Sequence, residues 1–203
     1  MKKLVTLVCM VTILLLNGCN DKEKEGKGTE DELMMQGDKT SGVHNDEPSY
    51  HFSLKDLNQK SYVATLKGKD FMLEDTNASL VMIHFFATWC PPCTGEIAYL
   101  NDLQEKYPQE LFITGILIND TSTTRALEQY IQKNGIRYYV SAVKDNNILA
   151  KKLVQNLNMD ENFSLPLTVL YQNGKYLVHY EGAVPIEMLD HDIQEALKNN
   201  TYE

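Results

Sequence analysis

One short stretch constrains the fold more than any other: an apolar run that leads into a tryptophan and two cysteines separated by two prolines. Residues 79–86 read SLVMIHFF, and residues 87–96 read ATWCPPCTGE. A nearly continuous apolar run predicts a central strand covered on both faces. Proline is tolerated in the first turn of a helix because its missing N–H has no partner there. The stretch therefore predicts a buried strand that ends at the cysteine pair, followed by a helix.

Alternating strand and helix signals continue to the end of the chain. The first helix is predicted to end at Pro108, and residues 119–122 are turn or helix-cap candidates. The pattern also predicts strands over 111–118 and 138–140, helices ending at Lys133 and over 147–156, a hairpin around Asn173-Gly174, and a final helix over 185–198. Residues 52–66 predict an additional N-terminal β-hairpin. This order predicts an α/β fold with a central mixed β-sheet flanked by helices.

The first 47 residues differ in composition from the rest of the chain. Two lysines precede an apolar run over residues 4–16, which has the length of a signal-peptide core and is short for a membrane span. The run ends in LNGC at residues 16–19, which resembles the bacterial lipobox. We expect residues 1–18 to be a signal peptide and Cys19 to carry a lipid; an uncleaved anchor and a plain secretory signal are the alternatives. All three place the domain outside the cytoplasm.

The remainder of the chain divides into a tether and a domain. Residues 19–47 are rich in Lys, Glu, Asp and Gly and poor in large apolar residues, which predicts a flexible, acidic, solvated tether. Residues 48–203 have the length of one ordinary domain. The full sequence has a formal net charge of −9. Because no basic patch or arginine-rich run accompanies this charge, nucleic acid is not expected as a partner.

The number and spacing of the cysteines are better explained by a chemical reaction than by a structural role. Of the four cysteines, Cys9 would leave with the signal peptide and Cys19 would be lipidated, so Cys90 and Cys93 remain. A pair this close in sequence is a poor structural disulfide, since its loop constrains the unfolded chain little. A zinc site would need two further Cys or His ligands at suitable spacing, and no second pair exists. We therefore predict a redox-active disulfide, with no metal and no cofactor.

These motifs together resemble the TlpA/ResA-type thiol–disulfide oxidoreductases, which are membrane-tethered proteins of the thioredoxin fold. The matching features are FATWCPPC at 86–93, Glu96, LPLT at 165–168 and a strand-helix insertion between Gly135 and Leu157. The resemblance covers the chain from about Pro48 to the C-terminus. It implies a thioredoxin-like domain that includes this central strand-helix insertion.

The cysteine pair would carry the reaction. Cys90 is predicted just ahead of a helix, where unpaired N–H groups and the helix dipole favour a thiolate, so we expect it to be the nucleophile. Cys93, one turn further along, is expected to resolve the mixed disulfide. Trp89, Pro91 and Pro92 are candidate substrate contacts.

Four more residues are candidates for the site. The family has a cis proline facing the cysteines, which implies a cis bond at Pro166 and a substrate-pairing backbone edge at Leu165; the alternative is an ordinary trans proline. Glu96 is a candidate proton relay for Cys93, or else a solvated first-turn glutamate. His84 stands where thioredoxins have a buried aspartate. It is a candidate base, or else a core histidine with one hydrogen bond.

The predicted function is reduction of disulfides in exported proteins. The two prolines remove two N–H groups that would stabilise a Cys90 thiolate, which favours a low reduction potential. The resemblance implies apocytochrome c among the clients and a transmembrane thiol electron donor, with the lipid-anchored domain facing the periplasm in a Gram-negative cell. Two alternatives stay open: a disulfide-donating oxidase or isomerase, and a non-enzymatic copper or haem chaperone that uses the same cysteines.

Overall fold

The computed structural model describes residues 47–199 of the chain. The predicted signal peptide, the candidate lipid site Cys19 and the predicted tether up to residue 46 lie outside the described residues. Within the described part, none of the helices combines the length and the apolar character that crossing a membrane requires.

The first three strands form an antiparallel sheet of their own. They are β1 (Ser49–Lys55), β2 (Ser61–Lys67) and β3 (Asp70–Leu73), in the order β1-β2-β3. The sequence predicts only the hairpin of β1 and β2, and the third strand corrects that prediction. With four residues, β3 shows too little alternation to be recognised alone, although Phe71 and Leu73 are buried. It exists because β2 offers it a pairing edge.

The central sheet has five strands and mixed direction. They are β4 (Leu80–Phe86), β5 (Leu111–Leu117), β6 (Tyr139–Ser141), β7 (Leu167–Gln172) and β8 (Lys175–Glu181). Their spatial order is β6-β5-β4-β7-β8; β4, β5 and β6 are parallel, and β7 is antiparallel to both β4 and β8. Every residue of β4 is buried, because this middle strand is covered on both faces. The predicted mixed sheet with a parallel core is confirmed.

Helices cover both faces of this sheet. The described residues contain α1 (Pro91–Lys106), α2 (Thr124–Asn134), α3 (Asn146–Asn156) and α4 (Ile186–Asn199). On one face, Leu100 of α1 and Ile193 of α4 belong to the core cluster that includes both cysteines. On the other face, Leu153 of α3 packs in a second cluster with the N-terminal sheet. The predicted helices over 147–156 and 185–198 differ from the observed bounds by one residue.

The buried side chain of Asn146 ties the insertion to the central sheet. Its Nδ2 donates to the carbonyl oxygens of Leu117 and Ser141 at 3.0 and 2.9 Å, and its Oδ1 lies 3.0 Å from Ser141 Oγ. The next residue of the β5 loop, Ile118, donates its N–H to the carbonyl of Phe86 at 3.0 Å. These bonds hold together the ends of β4, β5 and β6, the edge at which the cysteine segment begins.

Replacing Asn146 with alanine is expected to lower the free energy of unfolding by about 2–3 kcal/mol, because buried carbonyl oxygens lose their donors. Urea denaturation followed by circular dichroism measures this change. The control is Asn58→Ala in the exposed β1–β2 turn, for which the change should stay within about 0.5 kcal/mol. Equal stability of the two variants would contradict the role given to Asn146.

Candidate active site

The two cysteines lie where β4 leads into α1. Cys90 is the residue just before the helix and has an extended backbone, while Cys93 lies in the first turn. The two form a disulfide with an S–S distance of 2.04 Å and a Cα–Cα distance of 5.3 Å. Their exposed fractions are only 3% and 1%. The structure therefore shows the oxidised form of the pair, largely covered by the surrounding protein.

The first turn of α1 offers few donors to the sulfur of Cys90. Pro91 and Pro92 occupy the first two helical positions and have no N–H. The N–H of Cys93 donates to Cys90 Sγ at 3.2 Å. The next N–H, that of Thr94, donates to the carbonyl oxygen of Cys90 at 3.2 Å. A helix without these prolines would present more free N–H groups to a thiolate at this position.

A groove of about 450 Å³ opens beside Cys90. We call it the cysteine groove; its lining residues are Trp89, Cys90, Pro91, Pro92, Asn119, Glu161, Asn162, Phe163 and Leu165. The peptide bond between Leu165 and Pro166 is cis. Pro166 is buried and does not line the groove; its carbonyl oxygen accepts the N–H of Gly182 at 2.8 Å. The structure thus brings Cys90 together with all of the candidate substrate contacts except Pro166 itself.

Trp89 is held in place although 62% of it is exposed. Its indole N–H donates to the carbonyl oxygen of Asn119 at 2.9 Å. The preceding residue, Thr88, donates from its N–H and from its hydroxyl to one carboxylate oxygen of Asp120, at 2.6 and 2.7 Å. The other carboxylate oxygen accepts the N–H of Ser122 at 2.8 Å. The loop after β4 is therefore fastened to the loop after β5.

This role of Asp120 is not predicted from the sequence, in which residues 119–122 are turn or cap candidates. The cap of α2 is instead Thr123, whose hydroxyl accepts the N–H of Ala126 at 3.2 Å. A usable signal existed: adjacent parallel strands end at the same edge of a sheet, so residues that closely follow two such strands can meet. Thr88 and Asp120 occupy such positions.

A buried polar cluster connects β4, α1 and β7. His84 is fully buried and Glu96 is 5% exposed. The Nδ1 atom of His84 lies 3.1 Å from Thr168 Oγ1 and 3.8 Å from Glu96 Oε2. The other carboxylate oxygen of Glu96 accepts the N–H of Val184 at 2.9 Å. Among the described residues, His84 Nε2 and Glu96 Oε2 have no hydrogen-bond partner.

Burial shifts the pKa of both groups. It lowers the pKa of His84 to about 4, so the ring is neutral at pH 7. It also raises the pKa of Glu96, which the hydrogen bond from Val184 only partly opposes. The contact of 3.8 Å is therefore not a pair of opposite charges at neutral pH, because the imidazole is uncharged. Of the two predictions for Glu96, the solvated glutamate is wrong, since the side chain is buried.

Comparison with known proteins identifies the family. The family model of AhpC/TSA matches residues 45–182, more than half of the chain. The chain belongs to the AhpC/TSA family. The thiol-disulfide oxidoreductase ResA of Bacillus thuringiensis (strain Al Hakam) is 31% identical over 87 residues, 43% of this chain and 50% of that protein. The chain thus spans about half the length of this relative.

Two further matches cover more of the chain. ResA of Bacillus thuringiensis subsp. konkukian (strain 97-27) is 27% identical over 140 residues, 68% of this chain and 73% of that protein. The crystal structure of a thiol:disulfide interchange protein, a thioredoxin family protein from Chlorobium tepidum TLS, superposes with a TM-score of 0.56 at 20% identity. It covers 75% of this chain and 97% of that one, and at this identity the likeness concerns the fold. The predicted thioredoxin-like fold and ResA/TlpA-type family are confirmed.

Replacing Asp120 with asparagine is expected to loosen Trp89, because the acceptor of both Thr88 hydrogen bonds loses its charge. Trp89 is the only tryptophan in the chain, so time-resolved fluorescence anisotropy reports its local motion directly. We expect faster local depolarisation than in the wild type. The control is Asp102→Asn, an exposed position on α1, which should leave the decay unchanged.

The wild type should show the same loosening in acid. Burial alone would raise the pKa of Asp120, but the hydrogen bonds from Ser122 and Thr88 hold this pKa below its ordinary value of 3.8. A carboxylate with a lowered folded-state pKa stabilises the fold above its unfolded value, and this is lost as the pH falls through the folded value. An unchanged anisotropy in Asp120→Asn and in acid would contradict the role given to Asp120.

Single substitutions of Glu96 and of His84 should change the pH dependence of stability in opposite directions. In Glu96→Gln, His84 remains, and its pKa falls from 6.5 unfolded to about 4 folded. The unfolded state then binds the proton first, so stability falls as the pH drops through this range, by about 3 kcal/mol. In His84→Asn, Glu96 remains with a raised pKa. The contribution of Glu96 to stability is complete below its unfolded-state pKa of 4.5, and it is lost as the pH rises through its folded-state pKa.

Urea denaturation at a series of pH values measures both profiles. Tyr138, which is also buried near Glu96, has a raised pKa and stays neutral throughout this range. The double variant His84→Asn/Glu96→Gln removes both groups and should have the flattest profile of the set. Two single variants with the wild-type profile would show that burial does not shift these two groups.

Proposed function

We propose that this protein is a thiol–disulfide oxidoreductase that works outside the cytoplasm and reduces disulfides of exported proteins. The observation that carries the proposal is the Cys90–Cys93 disulfide at the start of α1, which opens on a groove beside a cis-proline segment. The relatives named thiol-disulfide oxidoreductase ResA support the same class of reaction. Apocytochrome c is among the clients that we propose.

The reaction begins with the reduced pair. The Cys90 thiolate attacks one sulfur of the client disulfide, which forms a mixed disulfide and releases one client thiolate that takes up a proton. Cys93 then loses its proton and attacks Cys90 Sγ. This step re-forms the Cys90–Cys93 disulfide and releases the second client thiol. Two electrons pass to the client, and a dithiol donor in the membrane reduces the pair again.

The proton of Cys93 needs an acceptor inside the protein. Glu96 stands three positions further on the same helical face, and burial raises its pKa, which makes its carboxylate a better proton acceptor than an exposed one. We assign Glu96 as the proton relay. His84 lies 3.8 Å from this carboxylate, but its pKa of about 4 makes it too weak a base to hold the proton at neutral pH, so we do not assign it as the base. Thr168 positions its ring through the contact at Nδ1.

Reduction of clients is favoured over disulfide donation by two features. A single N–H reaches the sulfur of Cys90, so its thiolate gains little stabilisation. Cys93 is only 1% exposed, and such burial disfavours a negative charge on its sulfur. A less stabilised dithiolate form means a lower reduction potential. Strong oxidants need the opposite, a reduced form that is unusually stable.

The N-terminal residues supply the proposed location. We propose removal of residues 1–18, a lipid on Cys19, and a tether over residues 19–47 that keeps the domain at the membrane surface. The motif LNGC and the acidic composition after it support this arrangement. The anchor would keep the cysteine groove within reach of a transmembrane thiol donor.

The reduction potential tests the direction of electron flow. After equilibration with glutathione or dithiothreitol buffers, we expect about −250 mV or lower, in the region of thioredoxin. A value near about −120 mV, typical of strong oxidants, would make disulfide donation the function. Cys93→Ser should accumulate the mixed disulfide with a client. The matched variant Cys90→Ser should form none, since it lacks the nucleophile.

A further inference from the structure

The cysteine groove presents an apolar surface next to the reactive sulfur. Trp89 forms one part of this surface and is fixed by its hydrogen bond to Asn119. Phe163 and Leu165, both half-buried, come from the segment that precedes β7. Because Cys90 is only 3% exposed, a client must bring its disulfide into this groove. The residues beside the client cysteines therefore meet an aromatic and aliphatic lining.

Four carboxylates belong to residues that line the groove or are adjacent or bonded to its lining segments, and we call them its border. Glu161 lines the groove, Asp160 precedes it in the chain, and Asp120 follows the lining residue Asn119. Glu181 accepts the N–H of Ser164, which lies between Phe163 and Leu165, at 2.6 Å. These four residues come from three separate segments of the chain, at 120, 160–161 and 181.

Of these four carboxylates, only that of Glu161 forms an ion pair within residues 47–199. Lys151 Nζ lies 3.1 Å from Glu161 Oε2. Asp120 and Asp160 accept hydrogen bonds from neutral groups, the latter from the N–H of Asn162 at 2.8 Å. Within residues 47–199, neither they nor Glu181 form an ion pair. The border therefore keeps an excess of negative charge at neutral pH.

We propose that the cysteine groove selects client disulfides whose cysteines are flanked by an apolar side chain and by a lysine or arginine. The apolar side chain packs against Trp89 and Phe163, and the cation lies near Glu161 and Asp160. An aspartate or glutamate at that place meets like charge, which discriminates against acidic clients. This selectivity rests on the proposed function, because it concerns the same exchange of one client disulfide for two thiols.

Three peptides test the proposal with the full chain. Each contains one disulfide and the same apolar neighbour, and they differ only in carrying Lys, Gln or Glu beside a cysteine. The protein is reduced with dithiothreitol, freed of reductant and mixed with each peptide; free peptide thiols are then counted over time. We expect the rate constant to be highest for the Lys peptide, lower for the Gln peptide and lowest for the Glu peptide. The Lys and Glu peptides should differ by about tenfold, a magnitude typical of exposed charge pairs. Added salt should shrink this ratio.

Two controls isolate the groove. Reduction of each peptide by dithiothreitol alone corrects for differences in the reactivity of its cysteines. Asp160→Asn/Glu161→Gln should bring the ratio between the Lys and Glu peptides close to one. The matched double variant Glu105→Gln/Glu110→Gln, at exposed carboxylates that do not line the groove, should keep the wild-type ratio. Asp120 is left intact because it also holds Thr88.

The outcomes separate the two proposals. Equal corrected rates for the three peptides would overturn the selectivity and leave the oxidoreductase function standing. A ratio that persists in Asp160→Asn/Glu161→Gln would overturn the assignment to these carboxylates. Failure to reduce any peptide, with correctly folded and reduced protein, would overturn the proposed function itself.

Discussion

The junction between β4 and α1 is the constraint on which the rest of the site depends. Because every residue of β4 is buried between two layers, the strand ends at a fixed place. The chain turns through Ala87, whose carbonyl oxygen accepts the N–H of Cys90 at 3.1 Å, and α1 then begins at Pro91. This one junction decides where the disulfide lies and how few backbone donors it has.

Buried polarity around the junction adds a second constraint. His84 and Glu96 each keep one polar atom without a partner among the described residues, and a buried polar atom without a partner lowers the stability of the fold. Burial shifts the two pKa values in opposite directions: it lowers that of His84, which is neutral at pH 7, and raises that of Glu96. On the exposed side, Trp89 and Glu161 line the cysteine groove beside Cys90.

Most of the fold could be predicted from the sequence, because its signals are local. The apolar run of β4, the prolines of the first turn and the Asn-Gly turn each specify an element within a few residues. The features that could not be predicted also have physical reasons. The strand β3 is too short to show a pattern without its partner. The pairing of Thr88 with Asp120 depends on the adjacency of β4 and β5, a long-range property that no local spacing expresses.

The sequence by itself determined that two closely spaced cysteines follow a buried strand and stand at the start of a helix. It also shows that residues 47–199 contain no other cysteine with which they could pair. It also placed Glu96 on the same helical face as Cys93, since helix periodicity is a local rule. Only the tertiary structure decided that Glu96 is buried, because its cover comes from His84 on β4 and Val184 before α4. The same holds for the acidic border of the cysteine groove, which is assembled from segments far apart in the chain. Side-chain charge and proton affinity follow from such packing, which the order of residues alone does not specify.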